Sequence, residues 1–383
     1  MTLSGGHSRP ESEIAYLDHA ATTPVRPEVV VAMAEAMAEP GNPSSLHGAG
    51  RRARAMVERA RRRLADRLAV ASDRVVFTSG GTEANHLALL GIGGTVLVSA
   101  VEHASVLEAV PDAPRIPVDP DGRVDLAALS EMLARHRPAL VAVMLANNET
   151  GLVQPIAEMS RLTRQSGALL HCDAVQAFGK LPISLAGLGA DLLTVSAHKL
   201  GGPSGVGALI LREGLELHPL QRGGGQERRL RAGTENLPGI VGFGTALDHA
   251  TDWLQLGYWR DRLEAGALAL DPEVRVVGAA VERLPNVTCL LTPGLSAETQ
   301  LMALDLAGVA VSSGAACSSG KVGPSHVLAA MGLPPDLARC AIRVSLGWSS
   351  TAADIQRFLK VWGDLIAYRR SSRGQLPAPV KVA

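Results

Sequence analysis

Short apolar runs that alternate with longer helical patterns constrain the fold of this chain more than any other feature. Six runs have the character of β-strands, at residues 74–78, 95–99, 139–145, 168–173, 191–196 and 205–211. Helical patterns occupy residues 27–39, 49–68, 82–90 and 155–166. An alternation of this kind is typical of an α/β domain built on a largely parallel sheet.

The character of the chain changes after Asn236. Helical patterns at 241–255 and 259–269 are followed by shorter candidate strands at 273–277, 287–291, 309–312 and 341–346. We therefore expect a large α/β domain over residues 16–245 and a smaller α+β domain formed by residues 1–15 and 246–370. A length of 383 residues fits two domains of ordinary size. Residues 371–383 carry proline, serine and glycine, and we predict a flexible tail there.

The charge balance excludes several classes of partner. Lys plus Arg number 37 and Asp plus Glu number 37, so the chain has no general attraction to nucleic acid or to an acidic membrane. Seven arginines between Arg51 and Arg63 permit a nucleic-acid interpretation, but the neutral total favours the solvated face of an amphipathic helix. Apolar runs such as 139–146 are too short to span a bilayer. The expected partners are a small molecule and other proteins.

The first residues and the cysteines indicate a compartment. Residues 1–12 are polar, and no secretory signal is visible among them. Four cysteines without a C-x-x-C pair suggest neither a disulfide framework nor a zinc site. His103 and His198 also lack the spacing of a metal-binding motif. We expect a cytoplasmic protein without a metal ion.

Lysine is scarce, with five residues against 32 arginines. Arginine stays protonated, whereas a buried lysine can lose its proton and attack a carbonyl group, so a lysine in an apolar setting is a candidate nucleophile. Lys199 follows an apolar strand and precedes Gly201-Gly202-Pro203. An amine in this setting can form a Schiff base with pyridoxal phosphate. A lysine that is paired with a carboxylate is the alternative.

Polar side chains follow five of the candidate strands at their carboxyl ends, where open α/β sheets bind ligands. They are Ser79-Gly80-Gly81-Thr82-Glu83, Glu102-His103, Asn147-Asn148-Glu149-Thr150-Gly151, Asp173 with Gln176, and Ser196-Ala197-His198-Lys199. Each group is a weak signal alone, but together they predict one pocket.

Two of these groups suit parts of a phosphorylated cofactor. The glycines of 79–82 allow close backbone approach, and the start of the following helix presents free N–H groups to a phosphate. An ordinary turn capped by Thr82 is the alternative. Asp173 ends a strand, where a carboxylate needs a cation such as a pyridinium nitrogen. A structural aspartate bound to backbone N–H groups is the alternative there.

His103 is interpreted as a ring stacked on the cofactor or as a proton shuttle.

Cys317 differs from the other three cysteines. It lies within residues 312–321, a run of small and polar side chains that offers no large apolar group to bury it. Most free cysteines are buried and inert, so an exposed thiol on a mobile tether suits attack on a substrate sulfur. Cys172, Cys289 and Cys340 lie in apolar settings and are predicted to be core residues.

The chain resembles the cysteine desulfurases, which belong to the class V aminotransferase group of the type I pyridoxal-phosphate fold. The similarity extends from about Tyr16 to Trp348. The segments that carry it are Asp18-His19-Ala20-Ala21-Thr22-Thr23, Asn42-Pro43-Ser44-Ser45-Leu46-His47, Thr78-Ser79-Gly80-Gly81-Thr82-Glu83-Ala84-Asn85, Asn147-Asn148-Glu149-Thr150-Gly151, Ser196-Ala197-His198-Lys199, Gly223-Gly224-Gly225-Gln226-Glu227-Arg228-Arg229, Arg231-Ala232-Gly233-Thr234-Glu235-Asn236, and the Cys317 run with Pro324-Ser325-His326.

The resemblance implies a fold and a set of roles around the cofactor. The fold would be a large domain with a mainly parallel seven-stranded sheet, plus a smaller α+β domain. Lys199 would hold the cofactor and move the substrate's α-proton, while His103 would stack on the ring and shuttle protons. The remaining cofactor contacts would be Asp173 at the pyridinium nitrogen, Gln176 at the phenolic oxygen, and Gly81, Thr82, Ser196 and His198 at the phosphate. Asn148 would also contact the cofactor.

The resemblance also implies a substrate, a subunit arrangement and a product. Arg343 and Asn148 would grip the carboxylate of L-cysteine, a task that suits a guanidinium group. Thr234 would reach the phosphate of the neighbouring subunit, which implies a homodimer. Cys317, in the setting of the subgroup with a long mobile loop, would accept sulfur as a persulfide and leave alanine. A sulfur-acceptor protein such as an iron–sulfur scaffold, or a transfer-RNA thiolation pathway, would then receive the sulfur.

Three other functions stay open at this point. A selenocysteine lyase shares the fold and the cofactor. A class V aminotransferase would need no exposed cysteine. A scaffold or sulfur-relay protein without chemistry is a non-enzymatic alternative, against which intact Lys199, Asp173, His103 and Cys317 argue.

Overall fold

The computed structural model describes residues 14–249, 251–313 and 325–373. The predictions that concern Cys317, residues 1–13 and residues 374–383 of the tail lie outside the described residues. Residues 371–373 of the predicted flexible tail are helical, so that prediction is wrong for them. Within them, the strands are β1 (Ala15–Tyr16), β2 (Val75–Thr78), β3 (Val96–Ser99), β4 (Arg115–Ile116), β5 (Leu140–Met144), β6 (Leu169–Asp173), β7 (Leu192–Ser196), β8 (Gly207–Leu211), β9 (Arg275–Val276), β10 (Val287–Leu291), β11 (Val309–Ala310), β12 (Ser312–Ser313) and β13 (Ala341–Ser345).

Helices connect most of these strands. They are α1 (Pro27–Ala38), α2 (Gly48–Leu68), α3 (Gly81–Ile92), α4 (Ala104–Leu107), α5 (Leu126–His136), α6 (Ile156–Ser166), α7 (Leu185–Leu188), α8 (Leu237–Ala246), α9 (Trp253–Leu270), α10 (Ala297–Leu306), α11 (His326–Ala330), α12 (Pro335–Ala338) and α13 (Ala352–Arg373). Across the described ranges, no helix has both the length and the apolar composition needed to cross a membrane.

The largest sheet has seven strands in the order β2-β8-β7-β6-β5-β3-β4. Strand β8 pairs antiparallel with both of its neighbours, and the remaining pairs are parallel. Six strands therefore share one direction, and their carboxyl ends lie at one edge of the sheet. The mainly parallel seven-stranded sheet of the type I pyridoxal-phosphate fold is confirmed.

Two smaller sheets involve the carboxyl-terminal part of the chain. Strand β1 pairs in parallel with β11, and β12, β13, β10 and β9 form an antiparallel sheet in that order. A separate apolar cluster packs on these strands, with Phe358 and Trp362 of α13 stacked at its centre. The division into domains at 16–245 and 246–370 stays a prediction.

The sequence patterns place most of the elements of the large sheet within one or two residues. Pro27 begins α1, and Gly167 ends α6 with a φ of 77°, as predicted. Strands such as β5 are buried along their whole length, which explains why an uninterrupted apolar run marks them.

Two predicted elements after Asn236 are wrong. The helix predicted at 241–255 is two helices, because α8 ends at Ala246 and Asp252 begins α9 as its cap through Gln255 N. The strand predicted at 309–312 is divided at Val311, so that β11 and β12 belong to different sheets.

Arg61 departs from the predicted solvated face of α2. Its guanidinium donates to both carboxylate oxygens of Glu227 at 2.6 and 2.7 Å, and both side chains are buried. Glu227 also accepts from Phe77 N at 2.8 Å, which ties this ion pair to β2. The other six arginines of the cluster are exposed, so the amphipathic interpretation holds for them.

We expect an Arg61→Ala variant to lose about 3–5 kcal/mol of unfolding free energy, because it leaves the Glu227 charge buried without its partner. Denaturant unfolding followed by circular dichroism measures this loss. Arg62→Ala is the matched control, because Arg62 is exposed on the same helix. Equal unfolding midpoints for the two variants would show that the buried pair does not stabilise the fold.

Candidate active site

A cavity of about 470 Å³ lies at the edge where the parallel strands end. Ten of the predicted site residues line it: Gly81, Thr82, His103, Asn148, Asp173, Gln176, Ser196, His198, Lys199 and Arg343. Thr234 is exposed and does not line this cavity, and Cys317 lies outside the described residues. One pocket thus collects the groups that the ends of five strands were predicted to deliver.

The end of β2 forms a cradle of backbone at one side of the cavity. The residue before helix α3 is Gly80, which has a φ of 155°, a value that glycine adopts far more readily than other residues. No side chain caps the start of this helix. The alternative in which Thr82 caps this turn is therefore wrong. A Cβ on Gly81 would lie 2.9 Å from Val175 Cγ2, so a larger residue would collide there. Uncapped N–H groups at a helix start suit an anionic oxygen.

Two polar residues at the end of β7 line the same side of the cavity. Ser196 contributes a hydroxyl group, and His198 Nδ1 lies 3.2 Å from Thr22 Oγ1. Burial, and next the charge of Lys199, lowers the pKa of His198 to about 4. His198 is therefore neutral at physiological pH and carries one ring N–H that can donate. Hydroxyl, imidazole and backbone N–H donors together make a phosphate-type site.

Asp173 is buried at the end of β6 with its carboxylate in the cavity wall. Its Oδ2 accepts from Asn85 Nδ2 at 2.8 Å, and its Oδ1 accepts from Val175 N at 2.9 Å. One backbone N–H therefore binds this carboxylate, as the structural alternative required, while the side chain also faces the cavity. A negative charge held in this way suits a protonated ring nitrogen.

Lys199 follows β7 in a short 3₁₀ turn, Ala197–Lys199. Its Nζ donates to the carbonyl oxygens of Ala20 and Ala21 at 2.7 and 2.6 Å. Across the described ranges no carboxylate forms an ion pair with it, which removes the structural alternative for this lysine. Burial, and next the charge of Arg343, lowers the pKa of Lys199 to about 8. The amine therefore loses its proton far more easily than an ordinary lysine.

We expect the rate at which the cofactor-free protein binds pyridoxal phosphate to rise with pH and to level off above about 8. Only the neutral amine attacks an aldehyde, and a lowered pKa makes that form abundant at lower pH. Visible absorbance after mixing measures the rate. A rate that keeps rising to about pH 10, the range of an ordinary lysine, would contradict the effect of burial.

His103 precedes α4 and turns its ring into the cavity. Its Nδ1 accepts from Ser105 N at 3.1 Å and lies 2.9 Å from Ser105 Oγ. This contact leaves the proton of the neutral ring on Nε2. Burial lowers the pKa of His103, although the charge of Asp173 opposes this effect. A neutral, oriented imidazole can stack on a ring or relay a proton.

Arg343 of β13 brings a positive charge from the antiparallel sheet to the other side of the cavity. Its Nη2 donates to Asp18 Oδ1 at 2.7 Å, and its Nη1 donates to Asn148 O at 2.8 Å. The buried Nε has no acceptor among the described residues. A guanidinium that lines the cavity and already binds one carboxylate suits the carboxylate of an amino acid.

Sequence reasoning missed several residues of this site. Asp18 and Asn85 line the cavity. Asn85 Nδ2 donates hydrogen bonds to Ser105 Oγ and to Asp173 Oδ2, both at 2.8 Å. Asn85 stands three residues after Thr82 in α3, on the face that meets the cavity, and this spacing could have identified it. The partner of Asp18 is distant in sequence, and no local pattern indicates it.

The described residues on either side of Cys317 also contact this region. Ser312 lines the cavity, and Ser325 Oγ donates to Glu149, the residue after Asn148. His326 Nε2 lies 2.9 Å from the carbonyl oxygen of Glu102, next to His103. Ser312 thus lines the cavity itself, and Ser325 and His326 contact the neighbours in sequence of two residues that line it, Asn148 and His103.

These groups fit pyridoxal phosphate in type and order. The uncapped turn at Gly81 suits its phosphate, the buried Asp173 carboxylate suits its ring nitrogen, and the Lys199 amine suits its aldehyde. The Arg343 guanidinium then remains for the carboxylate of a substrate. The cavity volume of about 470 Å³ lies within the range of small-molecule sites.

Comparisons with known proteins agree with this site. The family described as Aminotransferase class-V matches residues 15–358. A cysteine desulfurase of Cereibacter sphaeroides is 46% identical over 378 residues, which are 94% of this chain and 97% of the relative. The cysteine desulfurase IscS of Dictyoglomus turgidum is 41% identical over 376 residues, which are 93% of this chain and 95% of the relative.

A solved structure extends the comparison to the fold. The NifS-like protein from Rickettsia africae superposes with a TM-score of 0.85 at 36% identity, and the match covers 93% of this chain and all of that chain. Similarity in sequence and in fold therefore spans both the parallel sheet and the antiparallel sheet. The chain belongs to the class-V aminotransferase family and, within it, to the cysteine desulfurases, which depend on pyridoxal phosphate.

Proposed function

We propose that this protein is a pyridoxal-phosphate-dependent L-cysteine desulfurase that transfers sulfur to Cys317 and releases L-alanine. The observation that supports this most directly is the cavity that joins an amine of lowered pKa, Lys199, to a carboxylate-binding guanidinium, Arg343. An α-amino acid needs both groups, one near its amino end and one at its carboxylate. The similarity to cysteine desulfurases supports the choice of L-cysteine.

The residues around the cavity would hold the cofactor in one orientation. Gly81, Thr82, Ser196 and His198 would bind its phosphate, Asp173 would keep its ring nitrogen protonated, and Gln176 would donate to its phenolic oxygen. When bound, pyridoxal phosphate supplies an electron sink for the bonds at the substrate's α-carbon. His103 would lie against the ring, held by Ser105 in its Nε2–H form.

Lys199 and Arg343 would act on the substrate itself. Arg343 and Asn148 would bind its carboxylate and so fix the α-carbon near Lys199 Nζ. The amine of Lys199, whose pKa is lowered to about 8 by burial, can accept the α-proton and return it.

Cys317 would complete the reaction. Its thiolate attacks the substrate sulfur, the C–S bond breaks as the S–S bond forms, and the electron pair left on the β-carbon takes up a proton to give alanine. Three residues lie between Ser313 and Cys317, and the four steps of chain from Ser313 span at most about 14 Å. Ser312 lines the cavity, so the length of this segment is compatible with the proposed attack.

The wider biological role is also part of this proposal. We propose a homodimer in which the exposed Thr234 of one subunit reaches the phosphate of the other. The persulfide would pass to a sulfur-acceptor protein, such as an iron–sulfur scaffold or a member of a transfer-RNA thiolation pathway. The proposed location is the cytoplasm. The division into a large domain and a small domain that carries Cys317 belongs to the same proposal.

Incubation of the purified holoenzyme with L-cysteine tests this function. We expect alanine in solution and one additional sulfur atom on the peptide that contains Cys317, measured by mass spectrometry. An aminotransferase would instead release a keto acid and leave the cofactor in its amine form. A selenocysteine lyase would turn over selenocysteine and leave L-cysteine almost untouched. Absence of both alanine and the sulfur adduct would reject the proposal.

A further inference from the structure

Lys180 is a buried cation that the proposed mechanism does not use. It lies seven residues after Asp173, its side chain is 6% exposed, and it does not line the active-site cavity. Its Nζ donates to Gln176 Oε1 at 3.1 Å. The chain uses arginine for almost all of its positive charges, so a buried lysine that contacts a residue of the cavity wall suggests a specific role.

The side-chain amide of Gln176 has two ends of opposite hydrogen-bonding character. Its Oε1 faces Lys180 Nζ, and its Nε2 donates to the carbonyl oxygen of Ala20 at 2.8 Å. Rotation of the amide by half a turn would place an acceptor against the Ala20 carbonyl and a donor against the Lys180 amine. Both contacts therefore select the same orientation.

This orientation decides what Gln176 presents to the cavity. One N–H of Nε2 is used by Ala20, the second has no acceptor among the described residues, and Gln176 lines the cavity. The same carbonyl of Ala20 accepts from Lys199 Nζ at 2.7 Å, so one chain of contacts links the two lysines through Gln176. Lys180 is the only described residue that donates to Gln176 Oε1.

We propose that Lys180 is a positioning residue that holds the Gln176 amide with Nε2 toward the cavity, so that a donor faces the phenolic oxygen of the bound cofactor. The proposal rests on the role proposed above for Gln176. Both the ammonium and the neutral amine of a lysine carry N–H groups, so the contact persists in either protonation state. Burial lowers the pKa of Lys180 to about 7, which makes both states accessible.

A pH titration of the visible absorbance of the resting holoenzyme tests this proposal without turnover. A donor to the phenolic oxygen favours its deprotonated form, so loss of the orientation should move the spectral midpoint to higher pH. We expect Lys180→Met to raise the midpoint by about one pH unit, the size of one hydrogen bond to a charged oxygen. Lys180→Arg, which keeps a buried cationic donor, should have a spectral midpoint close to that of the wild-type protein. Lys360→Met is the control, because Lys360 is exposed on α13.

A double-variant cycle shows whether Lys180 acts through Gln176. We expect Lys180→Met to cause no further shift in a Gln176→Ala background, because the positioned group is then absent. An equal shift in both backgrounds would overturn the proposal and assign the effect to the charge of Lys180 alone. An unchanged midpoint in a folded, cofactor-loaded Lys180→Met protein would also overturn it.

Two further measurements keep the test decisive. If Lys180→Met does not fold, Lys180→Gln replaces it, since this amide can donate without charge. The proposal then expects a midpoint close to that of the wild-type protein, and a full shift would overturn it. Failure of the wild-type protein to acquire visible absorbance with pyridoxal phosphate would contradict the proposed function instead, so the two failures are distinguishable.

Discussion

Replacement of Lys199 by alanine is expected to abolish the covalent hold on pyridoxal phosphate and to lower L-cysteine turnover at least about 10³-fold. One amine is assigned two tasks, attachment to the aldehyde and transfer of the α-proton, and proton transfer alone contributes about 10²–10⁴-fold. The buried setting that lowers the pKa of Lys199 to about 8 prepares the side chain for both. Visible absorbance after dialysis and alanine release measure the two effects separately.

Lys360→Ala is the matched control for this variant. Lys360 is exposed on α13 and does not line the cavity. The control should keep wild-type absorbance and turnover. A Lys199→Ala protein that retained its absorbance through dialysis and produced alanine at the wild-type rate would show that another residue holds the cofactor.

Replacement of Cys317 by alanine should separate sulfur transfer from cofactor binding. We expect visible absorbance to stay at the wild-type level, because Cys317 is not among the residues assigned to the cofactor. L-cysteine turnover should fall at least about 10²-fold, since a missing nucleophile removes a whole step of the reaction. The sulfur adduct detected by mass spectrometry should disappear with it.

Cys340→Ala is the control for sulfur transfer. Cys340 is buried, and its Sγ contacts the carbonyl oxygen of Asp336, so it offers no thiol to the substrate. Cys172 and Cys289 are likewise buried, and burial raises the pKa of both thiols. Full-rate desulfuration by Cys317→Ala, with no persulfide elsewhere on the chain, would reject the assigned role.

Local patterns predicted the large sheet and most of the cavity because both depend on features that are close together in sequence. A strand such as β6 is an apolar run that ends in a polar residue, and Asp173 lies at that end. The carboxyl ends of parallel strands lie at one edge of the sheet, so the location of each strand in the sequence is enough to predict which residues meet there. Burial confirms Cys172, Cys289 and Cys340 as core residues.

Features that depend on distant partners could not be predicted in this way. Arg61 looks like one exposed arginine among seven until Glu227, 166 residues away, is placed beside it. Asp18 meets Arg343 across 325 residues. The helix predicted at 241–255 is wrong for a local reason, because the cap at Asp252 was not recognised. Tertiary pairing and missed caps are therefore the two sources of error.

The pairing of β1 with β11 has a consequence for biosynthesis. The carbonyl oxygens of Ala20 and Ala21, which accept from Lys199 Nζ, follow shortly after β1. Strand β1 pairs with residues 309–310, and Asp18 forms a β-bridge with Ser345. These contacts of residues 15–18 can therefore form only after residues 309–310 and 345 have been synthesised. We expect nascent chains that end before β11 to lack a competent cofactor pocket, so that coenzyme capture follows the synthesis of this strand.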